Sequence, residues 1–323
     1  MKFLSVYVCN MEQCTDTAVS RDRFPAGAER DYRLGYMLSV LLVFLLLTSA
    51  GCAGLSPSQQ NRSFEPKING IVWRSVCPGV EAADIYDAQL PLIAHVVKVD
   101  LLHPSISIVT TEQARFYGAQ GCRQGQIRGE TTQEFAERLH TVAACNAAPF
   151  HARSLFFHPC RTVIGIHITE FCRMSAPNAH YGALLFYADK RAQIVDVQTE
   201  AVFPAAVCHA LGGFWTILKS GVVLPQKLER RDSRTAVGLA PGGTTLFMLA
   251  VEGEWKSRSQ GLSYTETAVL LRALGASDAL QFDGGSSSTL VLQEDNEQRL
   301  IAPSRGWNIH IPVATNLGVV YTE

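Results

Sequence analysis

The sequence predicts an α+β protein: a mixed sheet assembled from hairpins and closed by a C-terminal strand-helix-strand unit. Three observations carry that prediction. Alternating apolar runs pair across short turn signals, two capping boxes mark helix starts, and a short apolar strand running into Asp283-Gly284-Gly285 follows the second helix.

In chain order, His95 to Leu102 and Ser105 to Thr111 alternate on either side of His103-Pro104 and read as a hairpin. Thr131-Thr132-Gln133-Glu134 is a capping box ahead of a helix with Phe135 and Leu139 on one face. Val142 to Cys145 is a small-residue strand ending at Asn146. Arg234 to Leu239 and Thr244 to Val251 flank Pro241-Gly242-Gly243, a second hairpin that would set Arg234 opposite Glu252. Ser263-Tyr264-Thr265-Glu266 starts the second helix, with Ala268, Leu271 and Leu274 on its apolar face and Gly275 as its stop. Ala279 to Phe282 then leads into Asp283. Strand, helix, strand in that order favours a right-handed crossover between parallel strands. That topology brings Asp283 to the sheet edge holding Arg234 and Glu252.

The chain has 323 residues, is 47% hydrophobic and has a formal net charge of −1, so it can bury a sizeable core and lacks the basic excess of a nucleic-acid binder. Leu38 to Ala50 is an apolar run too short to span a bilayer but suited to the core of a signal peptide. It ends in Ala50-Gly51-Cys52, which resembles a bacterial lipobox with Ser49 in place of the usual leucine. The expectation is an exported, cell-envelope protein lipidated at Cys52 and held to the membrane by that anchor; the alternatives are a hydrophobic anchor that is never cleaved, or cleavage by the ordinary signal peptidase. Residues 1–51 form the leader, 52–69 a polar tether and 70–323 the functional domain. Six of the nine cysteines lie beyond Cys52, enough for three disulfides in an oxidising compartment, with Cys160–Cys172 the simplest pair.

Arg234-Thr235-Ala236-Val237-Gly238, Val251-Glu252-Gly253, the Glu266 helix, Asp283-Gly284-Gly285 and Asn316-Leu317-Gly318-Val319 together resemble the phosphodiester glycosidase family. The resemblance runs from about residue 90 to 321 and is most specific from Arg234 onward. It implies cleavage of the sugar C1–O bond in a glycosyl-1-phosphodiester, with an N-acetylglucosamine-like sugar on a cell-envelope or extracellular glycan. No cofactor is implied, although Asp283 leaves room for a divalent ion. The alternative is a cell-envelope lipoprotein that binds such glycans without catalysis.

The resemblance makes Asp283, Glu252 and Glu266 the catalytic candidates, in that order. Glycosidases use paired carboxylates, but a capping-box glutamate is already committed to its own helix. Arg234 is the candidate phosphate ligand, because its planar fork matches two phosphate oxygens. Thr235, Asn146, Gly284, Gly285, Ser286 and Ser287 complete the expected substrate-binding set. The chain departs from the family pattern at three places. Ala147 and Ala148 replace two glycines after Asn146, Glu252 replaces aspartate, and Ser286 replaces a third glycine. Gly284 to Ser288 lacks the last glycine of a serine-hydrolase elbow, and the spacing of His158, Cys160, His167 and Cys172 fits no common zinc pattern.

Overall fold

Eight strands make the largest sheet, in the spatial order Arg74–Cys77, Val80–Asp87, Leu92–Asp100, Thr245–Val251, Arg234–Leu239, Asp278–Gln281, Thr216–Lys219, Val222–Val223. This computed structural model describes residues 64–116, 122, 126–152, 158–199, 203–226, 229–253, 255–295, 297–303 and 310–323. The proposed leader, Cys52 and the tether up to residue 63 lie outside the described residues. One compact unit runs from Ser63 to Glu323. It takes in the end of the segment read as tether, because Phe64 and Ile68 pack against the second hydrophobic core.

Arg234–Leu239 is central in the large sheet and buried along its whole length. Alternation sends its side chains in turn to two cores. Val237 and Leu239 join Leu280 and Phe282 on one face; Ala236 joins Ala279, Leu270 and Leu271 on the other, under the helix Tyr264–Ala273. The predicted hairpin is present, with Gly242 and Gly243 both at positive φ in its turn. Both predicted capping boxes form: Thr131 with Glu134 ahead of Thr132–Leu139, and Ser263 with Glu266 ahead of Tyr264–Ala273.

A five-stranded sheet with the order Glu297–Pro303, Thr289–Glu294, Ala143–Asn146, Asn316–Tyr321, Ile106–Thr110 packs against the first core. A second five-stranded sheet holds Cys172–Ser175, His167–Thr169, Val207–Gly212, Ala183–Tyr187 and Ala192–Val195. A small sheet joins Ile127–Arg128, Cys160–Val163 and Phe150–Ala152.

The α+β class fits, but strands dominate, and three expectations need correction. Every pairing between described strands is antiparallel, so the sheet is not mixed in its ladders. Thr245–Val251 and Asp278–Gln281 do run parallel, as the crossover requires, but Arg234–Leu239 lies between them and is antiparallel to both. The segments on either side of His103-Pro104 are no hairpin: Leu92–Asp100 stays in the large sheet, and Ile106–Thr110 pairs instead with Asn316–Tyr321. The disulfide joins Cys122 to Cys160, not Cys160 to Cys172, and Cys77, Cys145, Cys172 and Cys208 are free thiols. Cys160 and Cys172 sit on strands of different sheets, so their closeness in sequence does not make them neighbours.

Candidate functional site

Antiparallel pairing sets the site. Ala236 faces Gln281 across one ladder, and Arg234 faces Val251 across the other, so the start of one strand meets the ends of two. Arg234 and the Asp283 turn are therefore neighbours. Their contact is close: a Cβ built on Gly284 would stand 3.1 Å from the Ser233 carbonyl oxygen and 3.8 Å from Arg234 Nη1. Glycine at 284 keeps that space open beside the guanidinium.

Arg234 is buried, with 5% of its surface exposed. Its Nε donates to the Leu262 carbonyl at 2.9 Å and its Nη2 to the Arg230 carbonyl at 2.5 Å. The guanidinium carbon stacks 4.2 Å from the centre of the Tyr264 ring. Among the described residues, no carboxylate lies within ion-pair distance of it. Asp232 pairs with Arg230, and Glu252 pairs with Arg258. Burial without such a partner weakens its hold on the proton, moving its pKa below the usual arginine value. A desolvated cation of this kind gains strongly from an anion brought to its free edge.

Asp283 is anchored through its backbone. Its N–H donates to the Ala147 carbonyl at 2.9 Å, and its carbonyl accepts the Asn146 side-chain amide at 2.8 Å. Desolvation pushes its carboxyl up to about 6, against the opposing pull of hydrogen bonds from Ser287 and the Gly284 backbone. The carboxyl therefore changes charge near neutral pH, a range suited to proton transfer. Tyr264 lies within the fields of both Arg234 and Asp283, and burial raises its hydroxyl pKa above the ordinary range.

Glu252 stands apart from this pair. Arg234 pairs with Val251, so Glu252, one residue further on, leaves the sheet on the opposite face. There it meets His95, which faces Ala250 across the next ladder. Glu252 Oε1 is 3.3 Å from His95 Nε2, and Oε2 is 2.9 Å from Arg258 Nε. His95 Nδ1 lies 2.6 Å from Asp84. Burial disfavours the imidazolium, but Asp84 and Glu252 outweigh it and raise the His95 pKa. The three expected site residues thus converge on one sheet edge, two on one face and one on the other.

The carboxylate of Glu266 is also committed. Its Oε2 accepts the Ser263 N–H at 2.8 Å, and both oxygens take hydrogen bonds from Arg231. Asn146 and Thr235 are fully buried and bond to each other, Thr235 Oγ1 to Asn146 Oδ1 at 2.7 Å. They hold the site together from beneath. Ser287 turns its hydroxyl to Asp283, Thr289 Oγ1 donates to the Ser287 carbonyl, and Ser288 Oγ is buried without a hydrogen-bond partner.

The departures from the family pattern leave the backbone unstrained. Gly285 has φ 57°, but Ser286, Ala147 and Ala148 are not among the positive-φ residues. Alanine and serine meet no conformational penalty at those positions. Ala147 and Ala148 instead donate their N–H groups to the carbonyl and hydroxyl of Thr315. The zinc arrangement drawn through Cys160 fails, because that sulfur is spent in the disulfide.

Tyr264, His95, Asp84 and Arg258 were not visible as site residues in the sequence. The ring beneath Arg234 sits at the first helical position of the capping box, where nothing but the three-dimensional pairing reveals its neighbour.

Residues 140–320, more than half of the chain, match the family model described as phosphodiester glycosidase. No curated protein sequence matches the chain significantly. Among solved structures, a hypothetical protein from Synechocystis superposes with a TM-score of 0.59 at 14% identity, covering 78% of this chain and 64% of that one. The catalytic domain of zebrafish N-acetylglucosamine-1-phosphodiester alpha-N-acetylglucosaminidase, auto-inhibited by its pro-peptide, gives 0.57 at 18% identity, covering 77% and 86%. A putative exported protein from Burkholderia pseudomallei gives 0.51 at 14% identity, covering 71% and 74%. At these identities the likenesses establish a shared fold.

Proposed function

The chain belongs to the phosphodiester glycosidase family, and we propose that it hydrolyses the sugar C1–O bond of a glycosyl-1-phosphodiester with an N-acetylglucosamine-like sugar. The observation that carries this reading is the placement of a buried arginine, without a carboxylate partner among the described residues, beside the turn of a carboxyl that burial raises to about 6. Arg234 receives the phosphate, and its free edge faces the Gly284 turn.

The leaving group in this reaction is a phosphate monoester, much less basic than a sugar alkoxide. Departure therefore needs charge stabilisation more than protonation, and Arg234 supplies it where negative charge grows. Asp283, when ionised, stabilises the oxocarbenium-like carbon and accepts a proton from the attacking water. The water oxygen bonds to C1, the C1–O electron pair leaves with the phosphate, and the proton passes through Asp283 to solvent.

The test is hydrolysis of an N-acetylglucosamine-1-phosphodiester in water enriched in heavy oxygen. Free sugar carrying the label, with an unlabelled phosphomonoester, supports C1–O cleavage. Label in the phosphate would mean P–O cleavage and sink the reading. Binding without turnover would favour the non-catalytic glycan-binding alternative.

The same proposal places the protein outside the cytoplasm, anchored at Cys52. The Cys122–Cys160 bridge fits an oxidising compartment. Incorporation of labelled palmitate into the wild type but not into Cys52→Ser is the expected outcome, and equal labelling of both would remove the anchor.

A further inference from the structure

Trp215 stands at the exposed end of a group of rings that leads to Arg234. The residue is 38% exposed, and its indole stacks on Phe214 at 5.3 Å and meets Tyr264 at 5.6 Å; Tyr264 in turn lies 4.2 Å under the Arg234 guanidinium. Tyr181 closes the group edge-on, 5.3 Å from Phe214 and 5.8 Å from Trp215. The backbone fixes this arrangement. Phe214 donates its N–H to Gln281 at 2.7 Å, and Gln281 donates back to the Trp215 carbonyl at 3.0 Å. So close an approach needs glycine before it: a Cβ on Gly213 would stand 2.7 Å from the Gln281 carbonyl oxygen.

Strand order gives the group its meaning. Across the sheet run the strand of Arg234, then the strand leading to Asp283, then the strand Thr216–Lys219 that follows Trp215. A glycosyl-1-phosphodiester carries its groups in the same order: phosphate, anomeric carbon, sugar ring. We propose that Trp215 is the platform on which the pyranose ring of the cleaved sugar stacks, with the phosphate at Arg234 and C1 beside Asp283. This rests on the reading of the site as a phosphodiester glycosidase and adds to it the surface that recognises the sugar.

The chemistry is that of an aromatic face and a weakly polar C–H face. A pyranose shows an apolar surface of axial hydrogens, and the negative face of the indole attracts those hydrogens while both surfaces leave water. An exposed tryptophan alone would be unremarkable. This one is tied by backbone pairing to the strand of the carboxylate and by ring contacts to the arginine. Its hydroxyl-free surface also suits a ring better than a phosphate, which Arg234 serves.

Calorimetric titration with N-acetylglucosamine 1-phosphate and with inorganic phosphate tests the assignment, alongside turnover of a methyl phosphodiester of the same sugar. Trp215→Ala should weaken sugar-phosphate binding roughly tenfold and leave phosphate binding unchanged. Trp215→Phe should restore most of the loss. Stacking that acts equally on substrate and transition state should raise KM by a similar factor with kcat nearly constant. A thermal melt matching the wild type shows that the variant is folded.

Unchanged sugar-phosphate binding in folded Trp215→Ala overturns the platform, even if the wild type hydrolyses the diester. Equal loss for both ligands also overturns it, because Trp215 would then merely prop Tyr264 beneath Arg234. A wild type that binds the sugar phosphate through Trp215 but turns over no diester supports the platform and overturns the hydrolase reading instead. A wild type that binds neither ligand overturns both.

Discussion

Asn146 donates its side-chain amide to the main-chain carbonyl of Asp283 at 2.8 Å, across 137 residues of sequence. The same side chain accepts from Thr235 Oγ1 at 2.7 Å and from the Thr289 N–H at 3.0 Å. One buried amide therefore fixes the strand of the arginine, the carboxylate turn and the strand that follows it. Asn146→Ala strands the Thr235 hydroxyl and the Thr289 N–H and should cost about 2–4 kcal/mol in urea unfolding. Asn146→Asp keeps both acceptor contacts but cannot donate to Asp283 when ionised. It should retain more stability than the alanine variant while still losing kcat. Full activity in either variant would show that Asp283 holds its place without this contact.

Asp283→Asn should abolish turnover and raise stability. The folded-state pKa of about 6 exceeds the ordinary value of 3.8. Between those limits the folded protein keeps a proton that the unfolded chain has released, so stability falls as pH rises through the window. Asparagine removes that penalty, a gain on the order of 1–3 kcal/mol above pH 6 that shrinks towards zero near pH 4. Unfolding curves for wild type and variant at the two pH values check it, and a gain of the same size at both would be the wrong result. In the wild type, kcat/KM should rise with pH through about 6, as the carboxylate forms.

Arg234→Lys should damage catalysis more than binding. Lysine keeps a charge but loses the planar fork that would hold two phosphate oxygens as negative charge builds on the leaving group. The defect in kcat should shrink on a diester with an electron-poor aryl aglycone, which needs less stabilisation. An equal loss of kcat on both substrates, or a change confined to KM, would reduce Arg234 to a substrate clamp.

Thiol titration of denatured, unreduced protein should find four reactive cysteines among Cys77, Cys122, Cys145, Cys160, Cys172 and Cys208. In the folded state Cys172, the exposed one, should react first. Cys145 should react last, since burial in the first core raises its thiol pKa far above the usual value. Two reactive cysteines in the denatured protein would mean a second bridge.

The closeness of Arg234 to the Asp283 turn was legible in the sequence because it follows from strand direction. A hairpin followed by a crossover must bring Arg234 and Asp283 to one edge, whatever the exact pairing. Which face each side chain takes was not legible, because it depends on register. Arg234 pairs with Val251 and not with Glu252, and in a structure of period two that single step sends Glu252 to the other side. The capping boxes were readable as local chemistry, and the box already explained Glu266. The hairpin expected at His103-Pro104 failed because alternation marks a strand but cannot name its partner, and Ile106–Thr110 found one at the far end of the chain. The disulfide failed for a related reason: Cys122 and Cys160 have Cα atoms 5.5 Å apart, a distance that a sequence separation of 38 cannot announce.

Two strands within the family match draw their outer neighbours from before it. Thr245–Val251 is covered by Leu92–Asp100, and Asn316–Tyr321 by Ile106–Thr110, both upstream of residue 140. A fragment trimmed to the matched region would carry every residue proposed for chemistry, yet it would bare two apolar ladders with open N–H and C=O groups. Such edges recruit other chains. The shortest piece worth expressing is therefore set by sheet closure and not by homology, and the two early strands protect the later ones against self-association as a built-in chaperone would.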